Sequence, residues 1–401
     1  MFDRLAFRKP VALALGISLF ALAGCQSLAG SWGHLTDGSA NSPESAEATA
    51  LPSDAEIRPY LQNVTTDGIT ILWRSARKAL GEVTITGPDG RAQRVSEPSA
   101  IQDHRVRLTG LHPATKYRYS VTQDGKPVWS SEFITARPRG QSGFSFGVMG
   151  DMGKGTPEQF AIARQLAQYN PEFTLLTGDI VYFRGAEGDY LPKYFTPYQD
   201  LIDDQVFFPT LGNHDILTWL GKPYFRFFEL PTGNVEAASR YYQFSYGDVD
   251  FFGLDSNQAF TKLLPQYRWV KSALEASTAK WKIVFFHHPP FSAGKHGDDK
   301  GVKELLVPLF EQYGVDIVFA GHEHNYERIK PMRMYERSGR PITYIVTGGG
   351  GTDLRPVGKN ENTAYSESIH HFMGVKVEDQ RISIQAIDQG GRVFDSTVVT
   401  K

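Results

Sequence analysis

The chain carries a single cysteine, Cys25, which excludes any disulfide within it. Neither charge is in surplus: 42 Lys and Arg stand against 44 Asp and Glu, a formal net charge of −2. A partner held by general electrostatics, whether nucleic acid or an anionic surface, is therefore not implied. The apolar stretch Val11–Ala23 is too short, and flanked by the wrong residues, for a stable membrane span. No internal repeat is visible. A glycine-rich run, Gly348–Thr352, lacks the lysine of a nucleotide-binding loop and reads as close backbone packing instead.

What is present begins with a basic start, Arg4, Arg8 and Lys9, followed by that apolar stretch and then Leu22-Ala23-Gly24-Cys25. This is the pattern of a secretory signal, and its last four residues resemble a bacterial lipoprotein lipobox. The resemblance implies removal of residues 1–24, acylation of Cys25 and anchoring to a membrane, with Gln26 resembling the sorting residue of outer-membrane lipoproteins facing the periplasm or cell exterior. Residues 25–54 are rich in Ser, Ala, Gly and Asn and read as a flexible tether with a reach of about 30 Å.

Residues 55–138 read as all-β. The stretches Ile69–Ser75 and Gly81–Gly87 alternate apolar and polar residues, and turn signals such as Pro88-Asp89-Gly90 separate them from further strands. Leu111–Val121 resembles the tyrosine-corner segment of fibronectin type III sandwiches. After Ala136–Gly140 the pattern changes, and residues 141–401 alternate strand-like apolar runs with helical stretches. Thr156-Pro157 starts a helix with Phe160, Ala163, Leu166 and Tyr169 as its apolar stripe; Pro265–Ser277 and Val302–Tyr313 are further candidates.

The polar residues of this second region gather at one kind of place. Each strand-like run ends in a glycine or turn that delivers a carboxylate, amide, phenol or imidazole: Asp151; Asp179 and Tyr182; Asn213, His214 and Asp215; His287 and His288; His322 and His324. In an open α/β sheet, ligands bind beyond the carboxyl ends of the strands. Single histidines at such ends cap backbone groups as readily as they bind ions. Five ends together supply more donors than one ion needs, and oxygen and imidazole donors with no thiolate suit a pair of ions about 3.5–4 Å apart.

The ordered blocks Gly150–Gly153, Gly178–Tyr182, Gly212–Asp215, Val284–His287 and Gly321–His324 resemble the metallophosphoesterase (calcineurin-like) superfamily. Tyr182 and the stretch His322–Arg328 narrow the resemblance to the purple acid phosphatases, which also carry an N-terminal fibronectin-like domain. The fold so implied is multidomain, a fibronectin III-like β-sandwich followed by a metallophosphoesterase β-sandwich flanked by helices. The resemblance implies a ferric ion on Asp151, Tyr182 and His324, and a divalent ion (zinc, iron or manganese) on Asn213, His287 and His322, with Asp179 bridging. It gives His214 the role of contacting phosphoryl oxygens. His296 is either the acid that protonates the leaving alkoxide or a solvated surface histidine; His288 is structural. Tyr182 could alternatively be a core aromatic beside two divalent ions. Tyr326 and Arg328 either line the substrate rim or enter an ion pair. Asp215 stands where plant members have glutamate, and with no second cysteine their disulfide-linked dimer is excluded.

The implied function is hydrolysis of small phosphate monoesters by hydroxide at the dinuclear centre. A phosphodiesterase or pyrophosphatase on the same site is the enzymatic alternative, and a surface binding protein on a relic fold the non-enzymatic one.

Overall fold

The computed structural model describes residues 55–231, 240–336 and 338–401. The signal, the tether and Cys25 lie outside them. Within the described residues no helix is long and apolar enough to cross a membrane.

Seven antiparallel strands come first: β1 (Ala55–Gln62), β2 (Gly68–Ala79), β3 (Gly81–Thr86), β4 (Ala92–Ser96), β5 (Ile101–Thr109), β6 (Lys116–Gln123) and β7 (Lys126–Ile134). They form two sheets, in the orders β1-β2-β5 and β4-β3-β6-β7. The burial of β3 alternates strictly, with Val83 and Ile85 inward, as its period-two pattern requires. The Tyr117 hydroxyl accepts a hydrogen bond from the His112 amide at 2.9 Å, tying the β5–β6 connection to the strand that follows.

The remaining strands are β8 (Phe144–Met149), β9 (Phe173–Leu176), β10 (Val206–Pro209), β11 (Tyr242–Tyr246), β12 (Val249–Gly253), β13 (Trp281–Phe286), β14 (Ile317–Ala320), β15 (Tyr326–Ile329), β16 (Thr343–Thr347), β17 (Thr363–Glu367), β18 (His371–Val377), β19 (Arg381–Asp388) and β20 (Val393–Thr400). They build a six-stranded sheet, β10-β9-β8-β18-β19-β20, and a seven-stranded one, β11-β12-β13-β14-β16-β15-β17. In each, the strands that lead to the site are parallel: β8, β9 and β10 in the first, and β12, β13, β14 and β16 in the second. Such strands are covered on both faces, which accounts for nearly unbroken apolar runs such as Trp281–Phe286. Phenylalanines interleave between the sheets: Phe146 meets Phe251 edge-on at 5.3 Å and Phe173 in a stack at 5.2 Å, and Phe208 stacks on Phe244 at 3.9 Å.

Two helical details differ from the sequence pattern. The helix Pro157–Tyr169 is capped by the Thr156 hydroxyl, yet its buried face is Gln159, Ile162, Ala163 and Leu166; Phe160 and Tyr169 are only half-buried. Gln159 is turned inward because its amide bonds the Lys193 carbonyl and its oxygen caps the Gly155 amide. The stretch 302–313 forms two short helices, Lys300–Leu305 and Val307–Gln312, broken at Leu306 just before Pro308, whose ring cannot sit inside a continuous helix.

The sandwich packs directly on the second region. The Leu61 amide bonds the Ile202 carbonyl at 2.8 Å, the Tyr60 hydroxyl the Phe227 carbonyl at 2.9 Å, and Tyr119 and Trp129 both donate to Asp203. Arg137, in the connecting stretch, grips Glu172 with two nitrogens.

Candidate metal centre

Five strand ends converge. Asp151 follows β8, Asp179 follows β9, Asn213 follows β10, His287 follows β13 and His322 follows β14. The turn itself is made by the functional residues: Asp151, Asp179 and His322 have φ of 57°, 53° and 70°, a left-handed backbone costing about 1–3 kcal/mol per non-glycine residue. Two of the preceding glycines serve a different need from the sharp turn their sequence suggests. A β-carbon on Gly212 would lie 2.1 Å from Asp179 Oδ1, and one on Gly321 would lie 2.5 Å from Asp151 Oδ2. The carboxylates press against bare α-carbons.

At the centre stands Tyr182, buried, its hydroxyl 3.0 Å from Asp151 Oδ1, 3.0 Å from Asp179 Oδ2 and 3.1 Å from His324 Nε2. A phenol has one proton to give, and here two carboxylates and an imidazole face it. Burial and the two carboxylates push its ionisation well above the ordinary range, so a phenolate at this position requires a strongly charged cation. His324 Nδ1 lies 2.8 Å from the Asp353 carbonyl, which fixes the proton there and leaves the Nε2 lone pair toward Tyr182 and Asp151.

A second cluster adjoins it across Asp179. His287 Nδ1 donates to the Thr177 carbonyl at 2.9 Å, so Nε2 faces Asn213 Oδ1 at 3.0 Å, Asp179 Oδ2 at 3.4 Å and His322 Nδ1 at 3.2 Å. Burial opposes charging of His287, but Asp179 and Asp151 outweigh it and raise the group to about 9. Burial and neighbouring His287 depress His322 to about 2, leaving a neutral donor. Each cluster thus gathers several acceptors around one proton, on the Tyr182 hydroxyl in the first and on His287 Nε2 in the second, and the residues fit two cations sharing Asp179.

His214 flanks the pair. Its amide donates to Asp179 Oδ1 at 2.8 Å, its Nδ1 lies 2.7 Å from the Phe183 carbonyl, and its Nε2 stands 4.0 Å from Asp179 Oδ2. Asp215 is fully buried and accepts from the Gly212, Ile180 and Val181 amides, binding the Asp179 and Asn213 loops together; burial, then the Asp179 charge, raises its pKa to about 7. His296 lies against His322, ring centres 4.5 Å apart, with Nδ1 3.1 Å from Glu323. His288 is within the histidine cluster too, its Nδ1 2.8 Å from the Ser256 hydroxyl, and burial lowers it to about 3.

Tyr326 and Arg328 do not reach a rim. Tyr326 is buried, and both side chains bond the Asp395 carboxylate on β20, Arg328 through two nitrogens at 2.7 and 3.0 Å. The ion-pair alternative is the one the structure contains.

Sequence reasoning missed Glu323 and Arg355. Glu323 is wholly buried between the two histidines and accepts the Lys295 and His296 amides, anchoring the His296 loop. Its one signal in the sequence was its place between the two histidines. Arg355 donates to the His322 carbonyl at 3.1 Å through its side chain and to the His324 carbonyl at 2.9 Å through its amide. It follows the glycine run, whose Gly348 lies against Asp151 and the Glu323 carbonyl.

Residues 144–326 match the family model for calcineurin-like phosphoesterases. Purple acid phosphatase 15 of Arabidopsis thaliana is 29% identical over 284 residues, 62% of this chain and 53% of that one. Purple acid phosphatase 17 of the same plant is 25% identical over 64% of this chain and 84% of its own length. Against the first of these, the chain spans about half the length of the relative. The purple acid phosphatase from yellow lupin (Lupinus luteus) seeds superposes with a TM-score of 0.77 at 20% identity, covering 86% of this chain and 74% of that one. PhoD superposes with a TM-score of 0.65 at 12% identity, covering 89% and 94%; these two likenesses establish the fold. Over residues 144–326 the chain is similar to the calcineurin-like phosphoesterases. Both relatives named above are purple acid phosphatases, and the likeness of this chain is to that family.

Proposed function

We propose that the chain hydrolyses phosphate monoesters at two metal ions, a ferric ion on Asp151, Tyr182 and His324 and a divalent ion on Asn213, His287 and His322, with Asp179 between them. The observation that carries this reading is the Tyr182 hydroxyl, within 3.1 Å of Asp151, Asp179 and His324 at once. A phenolate is a hard anionic donor, and nothing short of a highly charged cation offsets the burial that holds Tyr182 protonated. When bound, such ions would supply Lewis acidity and lower the pKa of a coordinated water.

The chain's own groups do the rest. Asp151, Asp179 and ionised Tyr182 contribute −3 against +5, leaving the site net positive and ready for a phosphate dianion. His214 is fixed by the Phe183 carbonyl and turns its other nitrogen to the phosphoryl side, where a donated proton stabilises charge that grows in the transition state. His296, oriented by Glu323, stands where it can hand a proton to the departing alkoxide. No serine or cysteine nucleophile lies in the constellation, so a direct displacement by water fits the residues best. The lipobox-like Cys25 further supports an exported protein anchored to a membrane.

Metal analysis of purified protein, joined to a panel of monoesters, diesters and diphosphates, tests the reading. One iron and one divalent ion with a monoester preference is the expected result. A metal-free, inert protein overturns it, and a diester or diphosphate preference moves the assignment to the alternative substrates.

A further inference from the structure

We infer that the cavity beside the metal centre, walled by Trp219, is a subsite for the alcohol portion of the substrate, built for esters whose alcohol carries a flat aromatic ring. This rests on the phosphoesterase reading above.

The cavity holds about 630 Å³ and is bounded by Glu187, Thr218, Trp219, Lys222, Phe225 and Arg226. Its walls belong to the two segments that leave the site: one runs on from Tyr182, the other from Asn213 and His214. They are tied together at the mouth. The Thr218 hydroxyl donates to the Arg184 carbonyl at 2.6 Å. Arg184 is two residues beyond Tyr182, so its α-carbon is at most about 8 Å from that of Tyr182. Thr218, which lines the cavity, is thereby bonded to the turn that follows Tyr182.

Trp219 is the residue that asks for an explanation. It is 82% exposed and Leu220 is 71% exposed, although burying either would stabilise the fold. Both are also left-handed, with φ of 51° and 55°, a conformation that residues with a β-carbon avoid. The loop is held in this state: Arg240 donates to the Leu220 carbonyl at 2.6 Å, and the Gly221 amide bonds the Thr218 carbonyl at 3.0 Å. Four of the twelve large apolar side chains exposed among the described residues, Phe183, Leu217, Trp219 and Leu220, fall in these two segments. Strain and exposure that do nothing for packing point to a ligand.

The wall opposite is rigid. Arg226 is clamped between Asp103 at 2.8 Å and Glu187, and the guanidinium of Arg240 sits 5.1 Å from the Phe225 ring centre. An open indole face on a braced cavity suits stacking, which every planar ring system can supply. Alcohols without a planar ring, such as glycerol or ribose, gain less from it.

The test compares adenosine 5′-monophosphate with ribose 5-phosphate, which release the same kind of primary alkoxide and differ in the base. The intact protein is expected to favour the nucleotide in kcat/KM by about tenfold, from the stacking of one base. That ratio falls toward one in Trp219→Ala and returns in Trp219→Phe, which keeps a ring. A ratio of one in the intact protein, or one that Trp219→Ala leaves standing, overturns the subsite. If neither compound is hydrolysed, the phosphoesterase reading fails by itself, and the subsite is judged by binding. Adenosine is expected to quench the tryptophan emission that Trp219→Phe removes. Emission that ignores adenosine, or that shifts only with phosphatidylglycerol vesicles, overturns the assignment.

Discussion

Tyr182 and Asp179 are three residues apart in the chain and 3.0 Å apart in space, hydroxyl to carboxylate, with both groups buried. In that position the carboxylate faces both clusters, His287 on one side and the phenol on the other. Removing the phenol therefore alters one cluster and spares the other.

Tyr182→Phe is therefore expected to fold and to lose the visible charge-transfer absorption of an iron–phenolate pair, along with most of its bound iron. Absorption spectra and metal content of the two proteins check this. A coloured Tyr182→Phe protein would remove the phenol from the ligand set.

His296→Asn is expected to act through the leaving group. An alkyl phosphate, whose alkoxide needs a proton, should lose about 100-fold in kcat, and 4-nitrophenyl phosphate, whose phenolate leaves unaided, only a few-fold. Glu323→Gln should shift the same pattern in the same direction, because Glu323 holds the His296 amide and ring. Equal losses on both substrates would assign His296 to positioning alone.

The Asp395 carboxylate satisfies Arg328 and Tyr326 together, in a setting where each side chain is at least four-fifths covered. Asp395→Ala leaves a partly buried guanidinium without its partner and should cost about 1–3 kcal/mol of stability. Denaturant midpoints measure the loss, and kcat/KM should stay within about twofold because the pair lies outside the catalytic groups. A large fall in kcat/KM at full stability would restore Arg328 to the substrate rim.

Asp203, at the seam with the sandwich, is raised from 3.8 to about 6 by burial, against the Trp129 hydrogen bond. Between those two values the folded chain keeps a proton that the unfolded chain has released. Stability is then highest below about pH 4, falls as pH climbs to about 6, and stays at the lower level above, a loss of about 3 kcal/mol from this group alone. Asp203→Asn keeps an acceptor for Trp129, and should flatten that slope and raise stability at pH 7. Denaturation profiles across pH 4–8 check it; an unchanged slope would locate the pH dependence elsewhere.

Much of the centre was legible because the chemistry sits at strand ends, where short apolar runs stop at a glycine or a turn that carries a polar residue. Asp151, Asp179, Asn213, His287 and His322 all lie within four residues of such a stop. The fate of Arg328 was not legible, since Asp395 lies 67 residues away on the last strand and only the sheet order brings it near. Gln159 took a core position from Phe160 because local backbone groups needed its amide, a demand that apolar periodicity does not express. Glu323 and Arg355 work through backbone carbonyls and amides, which carry no residue signature. The roles of Gly212 and Gly321 came out differently for the same reason: close approach of a distant carboxylate is a property of packing.

Asp151, Asp179 and His322 hold left-handed backbone angles just beyond the ends of β8, β9 and β14, in sheets whose facing sides carry the interleaved phenylalanines. A loosened core would let those turns relax first, while the strands behind them still held. On gradual denaturation the chain should accordingly forget how to grip its ions before it forgets how to be a sheet, with colour and turnover fading ahead of the far-ultraviolet dichroism.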